Sequence, residues 1–257
     1  MLEGLKPCKV MKFFEEISKI PRKSGEEDKV VEYLKKFALE RNLEYYRDNY
    51  RNIVIKKEAS QGKENSPAIA LQAHTDMICE KSPESNHDFS IDGLELYVDG
   101  DFIKAKGTTL GADNGIGVAI ILAVLDCENI KAPKLECIFT SEEETTMLGA
   151  INLDLANIES NRIISLDNGK EGKILISSAE CNEWKGKVNF TREKTDKPSF
   201  ELVYDSFKGG HSGGNIGDET RGNPIKLAIE ILKKLQDVQI ANITGGSQVN
   251  VIPREVS

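Results

Sequence analysis

The chain has 257 residues, of which 39% are hydrophobic and 30% charged, and a formal net charge of −8. This is the composition of a soluble globular protein, long enough for one large domain or for one domain and part of another. The acidic balance excludes nucleic acid as the main partner, because no basic surplus exists to displace counterions, and no apolar run approaches the roughly 18 residues of a membrane span.

The first residues, "MLEGLKPCKVMKFFEE", contain neither the apolar core nor the cleavage site of a secretory signal. Ser24 followed by Glu27 reads as a capping box, with a helix in "DKVVEYLKKFALERN" behind it. "RNIVIKKE" reads as a strand, "QGKENSP" as a polar turn and "AIALQAH" as a strand covered on both faces. "GDFIKAKG" predicts another strand, and "GADNGIGVAIILAVLDC" a loop entering a buried helix. "KLECIFTSEEE" and "NRIISLDNG" share one pattern, a β-rich run that ends abruptly in acidic residues. Alternating strands and helices predict an α/β fold, a mostly parallel mixed sheet sandwiched by helices. From about residue 184 the pattern shifts to polar alternation, the amphipathic "NPIKLAIEILKKLQDV" and a β-like tail. The expected organisation is therefore a larger α/β domain over 1–183 and a partial, smaller α+β domain over 184–257.

The cysteines, Cys8, Cys79, Cys127, Cys137 and Cys181, are odd in number and never form CxxC. They read as free thiols in a reducing cytoplasm. Cys79, near His74, reads as a small packed side chain.

In parallel α/β sheets, functional groups collect beyond the carboxyl ends of the strands. His74, Asp76, Glu143, Glu144 and Asp167 all fall at such ends, and Asp113 stands at the mouth of a helix. A histidine among carboxylates, without CxxC, suits a cation bound by nitrogen and oxygen: Zn²⁺, with Mn²⁺ or Co²⁺ as substitutes. Asp76, two positions beyond His74, can orient the imidazole. Taken singly, each of these residues also reads as an ordinary surface or turn residue. Glu142–Glu144 is either a solvated charge run or a metal ligand beside a general base for activating water. Asp113 is either a helix N-cap or a bridge between two metals. "GTTLGADNGIG" lacks the Lys-Ser/Thr of a phosphate loop and the third glycine of a dinucleotide fingerprint, so both are rejected. Charge balance favours a pair of ions about 3.5–4 Å apart, since two Zn²⁺ match Asp113, Glu144, Asp167 and one hydroxide.

The motifs "ISKIPRKSGEE", "LQAHTDM", "HDF", "GTTLGADNGIGVAIILAVL", "SEEETTMLGA", "SLDNG", "FKGGHSGGNIG" and "NVIPRE" occur in this order. From about residue 10 to its end, the chain thereby resembles the aminoacyl-histidine (Xaa-His) dipeptidases. These are carnosinase-like members of the co-catalytic zinc aminoacylase/carboxypeptidase superfamily. The resemblance implies that His74 and Asp167 hold one zinc, Asp113 bridges two, and Glu144 binds the second. Glu143 is then the general base and Asp76 the partner that orients His74. A non-proline cis peptide at Asp113–Asn114 is also implied. His211 falls in the smaller "lid" domain, where the family's histidine stabilises the oxyanion, often across a homodimer, and Asn250 and Arg254 match lid residues that contact substrate. His87 reads as structural.

The family's second zinc also takes a histidine beyond the lid, and neither His87 nor His211 stands where that ligand belongs. The resemblance therefore implies an N-terminal portion whose His74–Asp167 metal position is nearly intact and whose hydrolysis is weak or absent. The expected activity of the family is metal-dependent hydrolysis of small peptides. The alternatives are a related N-acyl amino acid deacylase or a tri- or aminopeptidase and, from a different class, a non-catalytic metal-binding or interaction module.

Overall fold

In the computed structural model the described residues are all but 1, 3, 170, 178–185, 212, 216 and 247–250. They form two compact units, Met1–Gly172 and Lys173–Ser257.

The first unit is built on a five-stranded mixed sheet. Its strands are β1 (Glu44–Arg47), β2 (Ile53–Lys57), β3 (Ile69–His74), β6 (Leu135–Thr140) and β7 (Ile163–Ser165), in the order β1-β2-β6-β3-β7. A separate hairpin joins β4 (Leu96–Asp99) to β5 (Phe102–Ala105). β1 with β2, and β2 with β6, run antiparallel, whereas β3 runs parallel to both of its neighbours, β6 and β7. Three carboxyl ends therefore open at the same edge. The register makes this quantitative: His74 is opposite Thr140 and Gln72 is opposite Ser165, so Asp167 stands level with His74.

Alternation along the strands divides the core into two layers. Ile53, Ile55, Ala73, Leu135, Cys137 and Phe139 face the main core with α1 (Cys8–Ser18), α2 (Asp28–Glu40) and α3 (Ala112–Leu125). α2 presents Val30, Val31, Leu34, Phe37 and Ala38 at helical spacing, while α3 is apolar nearly all round, as a helix covered on several sides must be. The opposite face is thinner: Val54, Ala70 and Ile138 pack against Leu153 and Ile158, close to the short helix α4 (Leu148–Ile151).

Within β6 every residue is buried, including Glu136. Its carboxylate accepts hydrogen bonds from the Glu159 and Ser160 N–H groups at 3.0 and 2.8 Å and from the Ser160 hydroxyl, with Lys56 Nζ 3.6 Å away. Burial favours the neutral acid, but these donors hold its pKa below the ordinary value. The result is a pin that fixes the approach to β7, and so the level of Asp167.

One expectation is corrected here. Ser24 and Glu27 do not form a capping box: α2 begins at Asp28, its N-cap is Glu27, and no side chain caps it. The Ser24 hydroxyl instead reaches Asp76, and Glu27 accepts from the Gly25 and Glu142 N–H groups. Tertiary partners outcompeted the local ones because Lys23 pairs with Met77, drawing this segment along the end of β3.

The second unit contains α5 (Pro224–Leu232), capped by the Asn223 side chain, and a two-residue ladder of β8 (Gly210–His211) with β9 (Val251–Ile252). Among the described residues no helix is long and apolar enough to cross a membrane.

The thiols differ sharply. Cys8 is exposed, whereas Cys137 is fully buried and its pKa is pushed up to about 12 by burial. Under native conditions iodoacetamide should alkylate Cys8 at the rate of an open thiol and Cys137 at least ~10³-fold more slowly. Peptide mapping of the labelled chain measures both rates.

Candidate metal centre

Four segments meet at the carboxyl edge of the sheet. β3 delivers His74 and, two residues on, Asp76, both with no exposed surface. The turn after β6 delivers Glu143 and Glu144, both half-buried, and the turn after β7 delivers Asp167. Asp113 stands at the entrance of α3, where Gly111 has a left-handed φ of 62° and the Asp113–Asn114 peptide is cis. The turn after β6 is held in shape by Asn52, whose amide donates to Gly149 O at 2.8 Å, and by the Ser141 hydroxyl on Tyr50 O at 2.5 Å. A Cβ at Gly149 would come within 2.5 Å of Ser141 O, so this position admits only glycine.

Among the described residues, two groups of potential ligands have donor atoms within 4.8 Å of one another: His74 with Asp113 and Asp167, and His74 with Glu143 and Glu144. Both share the same imidazole. Glu144 joins its group through His74 and Glu143 rather than through Asp113.

The orientation of His74 shows what the cluster can hold. Nδ1 lies 3.1 Å from Asp76 O and 3.3 Å from Asp76 Oδ1, both acceptors, so Nδ1 carries a proton. Nε2 then faces Asp113 Oδ1 at 3.0 Å, with Glu143 Oε2 at 3.9 Å. A lone pair aimed at a carboxylate needs a positive charge between them, either a second proton or a metal ion. A metal-bound imidazole tied through its other nitrogen to a carboxylate is the usual pattern. The donor set, one nitrogen and several carboxylate oxygens, fits a divalent cation.

The acids feel their crowding. Asp76 is the exception: burial would raise it, but bonds from His74, Ser24 and the Glu144 N–H keep it below the ordinary range. Glu143 is pushed up by burial and, against the pull of His74, by the neighbouring aspartates. Asp167 is raised by burial and, despite His74, by Asp113 beside it. Glu144 is raised to about 7 by burial, then by Asp113 and Glu143. Burial opposes a charge on His74 too, yet Asp76, Glu143 and Asp167 raise it to about 9.

Glu144 yields a direct prediction. Its folded value lies above that of an unfolded glutamate, so folding disfavours the carboxylate, and the penalty is complete above pH 7 and vanishes below about 4.5. Discounted for solvent screening, Glu144→Gln should stabilise the metal-free chain at pH 8 by on the order of 1 kcal/mol, about 3 °C in Tm, and not at pH 4. Thermal melts at the two pH values read this out.

In the second unit, His211 belongs to β8, its backbone paired with Val251. Arg254 follows β9 and its carbonyl accepts from Phe207 N at 3.2 Å. Asn250 lies outside the described residues. His87 packs edge-on against Phe89, with ring centroids 4.5 Å apart. Arg22, Ser24 and Glu27 surround the centre without having been singled out from the sequence for it.

No protein-family model matches the chain. It is 38% identical over 259 aligned residues to the cytosol non-specific dipeptidase of Escherichia coli, which covers 99% of this chain and 53% of that protein. Among solved structures, the aminoacylhistidine dipeptidase of Vibrio alginolyticus matches with a TM-score of 0.75 and 33% identity, over 100% of this chain and 53% of that one. An aminopeptidase of Bacillus cereus shares the fold, with a TM-score of 0.58 at 20% identity, over 96% of this chain and 64% of that one. The chain thus spans about half the length of the dipeptidases it is similar to, and the resemblance read from its motifs agrees with these matches.

Proposed function

We propose that this chain carries the catalytic centre of a metal-dependent dipeptidase acting on small peptides of the Xaa-His type. The observation that carries the reading is His74, whose Nδ1 is committed to Asp76 while Nε2 points at Asp113 among further acids. The names of the two dipeptidases support the reaction class. We assign His74 and Asp167 to one Zn²⁺, Asp113 to a bridging position and Glu144 to a second ion, with Mn²⁺ or Co²⁺ as substitutes.

When bound, the divalent cations would acidify water and polarise the scissile carbonyl. Asp76 keeps the His74 tautomer and ring orientation. Glu143 takes the proton of the attacking water and passes it to the leaving amine nitrogen. We assign His211 to oxyanion stabilisation and Asn250 and Arg254 to substrate contact, within a lid and dimerisation domain over 184–257 that follows the catalytic domain over 1–183. We further propose a cytoplasmic location, with no nucleic-acid or membrane partner.

The test is to load the chain with Zn²⁺, measure bound metal by elemental analysis, and follow hydrolysis of glycyl-histidine and β-alanyl-histidine with and without chelator. At least one tightly held ion is expected, and the turnover of this portion, weak beside that of a full-length dipeptidase, should vanish with chelator. Turnover of acylated amino acids or tripeptides in preference would point to the related deacylase or tripeptidase reading. Uptake without turnover would make the chain a metal-binding module, and absence of uptake would overturn the proposal.

A further inference from the structure

We infer that the run Arg22–Glu27 is a positioning frame that sets the ligand-bearing segments at their working distances, with Arg22 as its central tie. The inference rests on the metal reading above only in its second readout. Arg22 is 2% exposed, yet its guanidinium meets no carboxylate at hydrogen-bond distance among the described residues. Nη1 donates to Thr75 O at 3.2 Å and to Asp76 O at 3.1 Å, and Nη2 donates to Gly111 O at 2.5 Å. One planar side chain thus fastens the end of β3 to the entrance of α3, the segments that carry His74 and Asp113. A Cβ at Gly111 would fall on Arg22 Nη2 and Met77 Sδ, so the helix entrance is fitted around this group.

Two further residues of the run tie the third segment. Ser24 Oγ donates to Asp76 Oδ2 at 2.7 Å, and the same carboxylate accepts the Glu143 and Glu144 N–H groups, each at 3.1 Å. Glu27 Oε1 accepts the Glu142 N–H at 3.0 Å. Arg22, Ser24 and Glu27 therefore each grip a turn that supplies the centre, and none belongs to either group of potential ligands. Burying a guanidinium against carbonyls alone costs desolvation, and a residue serving only to fill space would be apolar. What the fork supplies is geometry: two rigid arms reaching two segments, which a single ammonium cannot match.

The experiment is hydrogen exchange on the metal-free chain, followed by Zn²⁺ affinity from chelator competition, for wild type, Arg22→Lys, Ser24→Ala, Glu27→Gln and Glu27→Ala. Arg22→Lys should speed exchange at residues 75–77 and 111–115 together, leaving β2 and β6 unchanged, and weaken Zn²⁺ binding by about 10- to 100-fold. Ser24→Ala should act on residues 143–144 and weaken Zn²⁺ by about tenfold. Glu27→Gln keeps the accepting oxygen and should match wild type, whereas Glu27→Ala should loosen 142–144. Uniformly faster exchange in Arg22→Lys, or a response in one segment alone, would overturn the frame. If Arg22→Lys fails to fold, the Ser24 and Glu27 variants decide by the same criterion. A wild-type chain that takes up no Zn²⁺ would overturn the metal reading instead, and the exchange pattern would still judge the frame.

Discussion

Replacing His74 by alanine is expected to remove Zn²⁺ uptake from the chain. Both groups of potential ligands pass through this one imidazole, so the substitution strips a donor from each. If the ~10–16 kcal/mol of a structural zinc is shared among four ligands, each is worth roughly 3 kcal/mol, or more than a hundredfold in affinity. The fold should suffer as well. His74 is fully buried, and its loss takes the imidazole away from the buried Asp76 carboxylate, which keeps only the Ser24 hydroxyl and the Glu143 and Glu144 N–H groups, at a cost of about 3 kcal/mol. Asp113→Asn separates the two effects, because its side chain is 73% exposed: it should weaken uptake with little change in Tm. Calorimetric Zn²⁺ titration beside a thermal melt checks both variants. Full-strength uptake by His74→Ala would sink the assignment of the centre.

The second large effect is expected at Glu143. Glu143→Ala should retain Zn²⁺ uptake within about tenfold and lose turnover by roughly 10²–10⁴, the range for a removed general base. The distances support this division of roles: Asp113 Oδ1 sits 3.0 Å from His74 Nε2, whereas Glu143 Oε2 stands off at 3.9 Å. Its main chain is anchored by the N–H bond to Asp76 Oδ1, so the carboxylate swings from a fixed point. Burial and the surrounding aspartates raise its proton affinity above that of a free glutamate, which suits a base that must accept a proton near neutrality. Turnover above a tenth of wild type would move the role to another group, with Glu144 the next to test.

Much of the carboxyl edge of the sheet was legible because its signals are local. "AIALQAHTD", "KLECIFTSEEE" and "NRIISLD" are β-rich runs that give way to acidic residues, and the structure ends β3, β6 and β7 two residues before those acids. The side-by-side placement of His74 and Asp167 follows from two parallel pairings, and a βαβ alternation suggests such pairings before any register is known. The frame was not legible. Ser24 and Glu27 satisfy the spacing of a capping box, and only partners 52 and 115 residues away show that both side chains serve elsewhere. Arg22 gives no local signal at all, since its acceptors are main-chain carbonyls that every sequence possesses. Glu136 was hidden for the opposite reason: inside "LECIF" it resembles the solvent face of a strand, whereas it is buried on the turn before β7.

The strand order also dictates when the centre can exist during synthesis. β3 lies between β6 and β7, strands that follow it by more than sixty residues, so His74 waits with unpaired neighbours until residue 165 has been made. Closing such distant pairings is slow compared with forming α1 or α2. Metal capture should therefore be among the last events in the folding of the first unit, and the appearance of bound Co²⁺ in a stopped-flow refolding trace would time completion of the sheet itself.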